Sequence, residues 1–135
     1  MRLSRRHVQI GIGLVLLGLG GILVMSPLAV AEVLGRPHDT SSRMINLRAS
    51  WGGPVLGLAG FVAWLPALRP WLRSVVGLVT WAMAGVGVAR AVGFALDGSP
   101  DARQYVWIIG EVVIVVLGAW ALRVIARRSG HAAIP

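Results

Sequence analysis

Four runs of apolar residues, separated by short polar segments, dominate the pattern along the chain. They cover about residues 8–26, 47–67, 74–96 and 105–126 and contain few charged positions. A membrane-spanning helix needs about 20 predominantly apolar residues, and no run alternates with the period of two that a membrane strand requires. The pattern therefore predicts four transmembrane helices, with a partly helical polar segment around residues 27–43 between the first two.

The composition strengthens this prediction. Of the 135 residues, 56% are hydrophobic and only 13% are charged, and the mean hydropathy is +0.77. These charged residues are too few to cover the surface of a soluble domain. We therefore predict an all-α polytopic membrane protein in which residues 1–135 form a single domain, a bundle of four transmembrane helices.

The net charge of +8 would indicate nucleic-acid binding if the basic residues formed one face. Instead the arginines lie between and beside the apolar runs, where they mark topology and contact lipid head groups. We therefore expect membrane lipids, and no nucleic acid, as partners. Eight arginines share one side of a four-span chain: Arg2, Arg5, Arg6, Arg69, Arg73, Arg123, Arg127 and Arg128.

The opposite side collects the other five arginines and every acidic residue: Arg36, Arg43, Arg48, Arg90, Arg103, Glu32, Asp39, Asp97, Asp101 and Glu111. Basic residues in short loops stay in the cytoplasm. The sequence thus predicts a multi-pass protein of the bacterial cytoplasmic (inner) membrane with both termini cytoplasmic. An alternative stays open, because Ala29-Val30-Ala31 resembles a signal-peptidase site. Cleavage there would leave three spans.

Small residues are frequent in the predicted spans, and the chain has 18 glycines. Helices associate in lipid by close backbone approach over small residues. Gly53 and Gly57 have the spacing of a GxxxG motif, with Gly52 and Gly60 beside them. We expect these four glycines to pack helices together within the chain, although the same motif is compatible with a homo-oligomer.

Four charged residues fall within the predicted spans: Arg48, Arg90, Glu111 and, near the end of the fourth span, Arg123. The first three are the informative ones, because they lie on the side of the membrane opposite to Arg123. An unpaired charge within a span costs at least ~2.5–3.5 kcal/mol. Counting the helical rise from the outer loop places Arg90 and Glu111 at a similar depth, roughly 10 Å below that loop, with Arg48 nearer the surface. We predict an Arg90–Glu111 ion pair with Arg48 close above it. Asn46 and Tyr105 are expected as neighbours at the rim, and Asn46 and Trp51 are counted with these three charged residues as the ligand-binding or structural cluster.

Two arginines and one carboxylate leave one positive charge over. A lipid phosphate, a carboxylate or the ring oxygen of a quinone could occupy that position. The alternative is a structural clasp that fixes helix register, with Arg48 extending to the interface. We expect no metal and no cofactor. The histidines His7, His38 and His131 lie outside the spans, and the chain has no cysteine, so haem and thiolate sites lack ligands.

The polar positions resemble a known family. The segment Asn46-Leu47-Arg48-Ala49-Ser50-Trp51-Gly52-Gly53, then Ala89-Arg90, then Leu96-Asp97-Gly98-Ser99-Pro100 and a lone Glu111 are similar to the bacterial membrane family catalogued as domain of unknown function 4345. The resemblance covers nearly the whole chain. It implies a four-helix membrane protein and assigns no activity.

Three functional hypotheses remain from the sequence. The first is a small membrane protein that binds a lipid, quinone or other anionic ligand at the charge cluster near the outer leaflet. The second is a small oligomeric transporter, or an accessory subunit of a membrane complex in which the clasp is purely structural. An enzyme is the least favoured hypothesis, because Glu111 is the only candidate general base or nucleophile that the spans contain.

Overall fold

The computed structural model describes residues 5–37, 39–64 and 71–131, which fold almost entirely into helices. The described residues form α1 (Arg5–Met25), α2 (Pro27–Leu34), α3 (Ser41–Leu47), α4 (Gly53–Trp64), α5 (Trp71–Leu96) and α6 (Ala102–His131). A π-helical turn, Arg48–Gly52, joins α3 to α4. The all-α prediction is therefore confirmed, and the segment 27–43 is partly helical as expected.

Proline, glycine and a capping hydroxyl divide the segment after α1 into separate helices. Ser26 leaves the helical conformation, and Pro27, which lacks a backbone N–H, begins α2 in the first helical turn. Gly35 ends α2 with a φ of +59°, the left-handed conformation that glycine adopts without strain. The hydroxyl of Thr40 accepts a hydrogen bond from a backbone N–H in the first turn of α3.

Three helical stretches are long and apolar enough to cross a membrane: Arg6–Met25, Leu72–Leu96 and Ala102–Arg127. They coincide with the first, third and fourth predicted spans. In the most apolar 18-residue stretch of each helix, at most 22% of the residues are buried inside the protein. Many large apolar side chains are exposed along these helices. Such surfaces are consistent with a membrane protein, because lipid rather than water is their favourable solvent.

The second predicted span, residues 47–67, is helical as far as the structure describes it but is not one regular α-helix. Residues 65–67 lie outside the described residues. By itself α4 has 12 residues, or about 18 Å, which is shorter than a bilayer core of about 30 Å. However, Leu47, Arg48 and Gly53 all have right-handed helical dihedral angles. Thus α3, the π-turn and α4 form one continuous helix of about 36 Å.

The long helices lie side by side in the order α1, α4, α5, α6. Each packs extensively on its neighbours in that order, and no extensive contact joins α1 to α6 within the described residues. The helix contacts therefore form a row rather than a closed ring. Consequently α6 has one main neighbour among the described helices, α5. This explains why only 6% of the residues in its most apolar 18-residue stretch are buried.

Glycines allow the central pair of helices, α4 and α5, to approach at the level of their backbones. A methyl group added to Gly85 of α5 would collide with the carbonyl oxygen of Gly53 and the backbone nitrogen of Gly57. One added to Gly60 would lie 2.5 Å from the Trp81 ring. Gly52 allows a similar close approach to the backbone of Val24 at the end of α1. The predicted GxxxG pair thus packs helices within the chain, as small residues do in lipid.

Candidate functional site

Two helices bring the predicted ion pair together. Arg90, on α5, donates from Nε to both carboxylate oxygens of Glu111 on α6, at 2.9 and 3.1 Å, and from Nη2 to Oε1 at 2.7 Å. The side chains are only 5% and 7% exposed. The pairing predicted from their equal depth is present in the structure. The fork of the guanidinium suits a carboxylate, and it remains charged when it is poorly hydrated.

The expected surplus of positive charge is wrong for the described residues, because Arg48 has its own carboxylate. Its Nε and Nη2 donate to the two oxygens of Asp97, both at 2.7 Å, and Nη1 donates to the backbone carbonyl of Val24 at the end of α1. Both side chains of this pair are less than a tenth exposed. The two arginines are therefore neutralised by two acids.

Asp97, expected in the outer loop, is held at the end of α5 by the geometry of the chain. Its backbone N–H still bonds to the carbonyl of Gly93 in the last turn of α5, at 2.8 Å. The chain then leaves the helix at Gly98, whose φ is +89°. This turn holds the carboxylate against the helix ends. The following Gly98-Ser99-Pro100 sequence is typical of a turn, but it does not give the direction in which the acid points.

A glutamine, Gln104, completes the coordination of Arg90 and was not predicted. Its side-chain oxygen accepts a hydrogen bond from Nη1 of Arg90, and its Nε2 donates to the backbone carbonyl of Ser42 at 3.1 Å. Gln104 is 6% exposed. Among the described residues, no buried side-chain nitrogen or oxygen lacks a hydrogen-bond partner. Each buried side-chain nitrogen and oxygen of this network thus has at least one partner within the protein.

The start of α6 turns Gln104 inward. Asp101 and Gln104 have the spacing of a capping box, in which the glutamine side chain would ordinarily return to the backbone N–H of the capping residue. Here Asp101 accepts the backbone N–H of Gln104 at 3.1 Å, but its own N–H donates to the hydroxyl of Ser42 at 3.0 Å. Ser42 therefore replaces the glutamine in the cap and frees its amide for Arg90. The spacing was visible in the sequence, and the replacement was not.

A cavity of about 620 Å³ lies beside this network, between the 36–51 segment and the beginning of α6. It is lined by Arg36, Pro37, Thr40, Ser42, Arg43, Asn46, Leu47, Ser50, Trp51, Asp101, Arg103, Gln104 and Trp107. Asn46 and Trp51, both assigned to the cluster from the sequence, belong to this lining, whereas Tyr105, expected at the rim, does not. Arg48, Arg90 and Glu111 do not, so the charge cluster lies behind the cavity wall.

The cavity lining is rich in positive charge. It contains three arginines and one carboxylate, Asp101. Arg43 forms an exposed ion pair with Asp39, one turn earlier. Arg103 is exposed and has no ion-pair partner within the described part of the chain. An anion entering the cavity would therefore meet the guanidinium of Arg103, a group that binds phosphate and carboxylate oxygens well.

Two tryptophans flank the cavity on different elements. Trp51 belongs to the π-turn and is 43% exposed, and Trp107 belongs to α6 and is 56% exposed. Indole rings favour the boundary between hydrocarbon and head groups. Their position beside the arginines is typical of a site where a polar group and an apolar chain meet. The described residues contain no group of three or more metal-ligating side chains, and His38 lies outside them.

Comparison with known proteins identifies the family. The family model described as a domain of unknown function, DUF4345, matches residues 5–122, and the chain belongs to this family. The matched region includes both buried ion pairs and the whole cavity lining. No curated protein and no solved structure matches the chain. The resemblance seen in the sequence is thus confirmed.

Proposed function

We propose that this member of the DUF4345 family is a four-span protein of the bacterial inner membrane that binds an anionic phospholipid head group in its outer cavity. The observation that carries the proposal is the cavity itself. It combines three arginines with two tryptophans at one end of apolar helices. Its volume of about 620 Å³ lies within the usual range for a ligand pocket, roughly 300–1,000 Å³.

The membrane topology follows from helix length and charge. Three helices are long enough to span, and we assign the fourth span to the continuous helix from Ser41 to Trp64. Four spans place both termini on one side. The positive-inside rule makes this side the cytoplasm, because Arg123 and Arg127 of α6 and the basic N-terminus lie there. The cavity then faces the outer leaflet.

The charge distribution favours a ligand site outside the buried cluster. Arg48 and Arg90 are each held by a carboxylate, so an anion bound between them would have to displace an existing ion pair. Arg103 at the cavity surface carries no such partner among the residues that the structure describes. A quinone would accept hydrogen bonds there but would leave the charge of Arg103 unbalanced, whereas a phosphodiester would neutralise it.

The binding test uses protein purified in an uncharged detergent and three probes measured by calorimetry. Dihexanoyl phosphatidylglycerol carries the anionic head group and acyl chains. Dihexanoyl phosphatidylcholine has the same phosphodiester with a compensating cation, and glycerophosphoglycerol has the head group without chains. We expect phosphatidylglycerol to bind at least about tenfold more tightly than phosphatidylcholine. Equal affinity for the two lipids, or no binding of either, would overturn the proposal.

Glycerophosphoglycerol, the probe without acyl chains, distinguishes a lipid ligand from a soluble anionic ligand. Binding of glycerophosphoglycerol as tight as that of phosphatidylglycerol would assign the cavity to a soluble phosphodiester, whereas much weaker binding assigns it to lipid. Arg103→Gln should weaken phosphatidylglycerol binding about tenfold or more, since a hydrogen bond to a charged group contributes about 1.5–3 kcal/mol. The matched control is Arg123→Gln, an exposed arginine about 30 Å farther along the same helix, which should not change the affinity.

A further inference from the structure

Gln104 differs from the other polar residues that line the cavity. Among the described lining residues it is the only buried polar one, and it is 6% exposed. The arginines, Asn46 and Asp101 are all exposed. A buried group on the wall of a cavity has its orientation fixed by its surroundings, so it can select a ligand more sharply than a mobile surface side chain.

The amide of Gln104 can offer the cavity only a donor. Its oxygen is engaged by Arg90, and one N–H of Nε2 is engaged by the carbonyl of Ser42 at 3.1 Å. A primary amide has a second N–H. Because Arg90 holds the oxygen, the amide cannot flip to present an acceptor without breaking a charge-assisted hydrogen bond.

The Arg90–Glu111 pair fixes the orientation of the Gln104 amide from the side away from the cavity. Glu111 holds Arg90 with three hydrogen bonds, and Arg90 holds the amide oxygen. Neither Arg90 nor Glu111 lines the cavity. We therefore expect them to influence a ligand through Gln104, the cavity residue to which Arg90 is bonded.

We propose that Gln104 is a ligand-contacting residue that donates a hydrogen bond to an acceptor oxygen of the bound head group, and that Arg90 and Glu111 are positioning residues for it. This inference rests on the proposed lipid-binding function and adds a selection rule to it. The cavity accepts head groups that place a phosphate or glycerol oxygen against the buried wall. It also gives the buried pair a function other than holding helices together.

The experiment is a binding cycle with dihexanoyl phosphatidylglycerol on the full-length protein. Its members are wild type, Gln104→Met, the double variant Arg90→Leu/Glu111→Leu, and all three changes combined. Loss of the donor, or loss of its fixed orientation, should each raise the Kd about tenfold, equivalent to about 1.4 kcal/mol. If both act through Gln104, the triple variant should be no more than about threefold weaker than either. Independent effects would give about a hundredfold loss and would overturn the coupling.

The other buried pair supplies the control. Arg48→Leu/Asp97→Leu removes the same charges from another pair outside the cavity lining, and no hydrogen bond joins its side chains to Gln104. It should change the Kd less than twofold. A tenfold loss in this control would show that any damage to the buried network weakens binding, and would overturn the assignment to Gln104.

The failures of the two proposals are distinguishable. No binding to wild type overturns both. Binding to wild type with a Gln104→Met Kd within twofold overturns only the role of Gln104. Should the variants of the buried pair fail to fold, Gln104→Met alone decides, because it leaves the Arg90–Glu111 pair intact.

Discussion

Removing either member of the Arg90–Glu111 pair should be more damaging than removing both. The side chains are 5% and 7% exposed, so Arg90→Leu leaves Glu111 as an uncompensated buried charge, which costs about 3–5 kcal/mol. Glu111→Leu leaves Arg90 with only Gln104 as a partner, at a similar cost. In the double variant no charge remains. The main loss is the unpaired oxygen of Gln104, about 1–3 kcal/mol.

These magnitudes predict a coupling energy of at least ~3 kcal/mol between the two substitutions. The measurement is reversible unfolding in mixed micelles, in which a denaturing detergent is titrated and tryptophan fluorescence is followed for the four members of the cycle. Additive effects of the two single changes would refute the reasoning. The control is the exposed Asp39–Arg43 pair, whose side chains are 69% and 52% exposed, and its coupling with alanine substitutions should be below ~1 kcal/mol.

Two further predictions concern packing and topology. Gly85→Ala should destabilise the protein by about 1–3 kcal/mol in the same unfolding assay, because its added methyl group meets the α4 backbone at Gly57. The control is Gly21→Ala, which should be neutral or slightly stabilising because nothing lies within 4 Å of its added methyl group. The chain has no native cysteine, so single cysteines can be labelled selectively. In intact cells, a membrane-impermeant maleimide should label Ser99→Cys and leave Ser129→Cys unlabelled until the membrane is opened. The reverse pattern would contradict cytoplasmic termini.

Hydrophobic run lengths were enough to find the long helices. The predicted third span, 74–96, begins three residues after the observed start of α5 and ends where α5 ends. The second span shows where this reasoning is insufficient. Its hydropathy pattern cannot reveal the π-helical turn at Arg48–Gly52, because a π-turn changes hydrogen-bond register without changing which residues are apolar. That turn carries both Arg48 and Trp51, so it sets the position of one ion pair and of the cavity rim.

The sequence by itself determined what is local or depends on counting along a helix. It indicated the all-α membrane class and the similar depth of Arg90 and Glu111, which follow from composition and from the regular rise of an α-helix. The family was indicated by the resemblance of a few polar motifs.

Only the tertiary structure decided what depends on the direction of side chains at helix ends. The turn at Gly98 directs Asp97 toward Arg48, and Ser42 takes over the cap of α6 so that Gln104 reaches Arg90. These contacts join residues 14 to 59 positions apart. The apolar pattern does not encode them, because the same short polar segments could direct these side chains outward to water at almost no cost in hydrophobic burial. The charge balance of the buried network, and with it the location of the candidate ligand site, was therefore fixed by the fold.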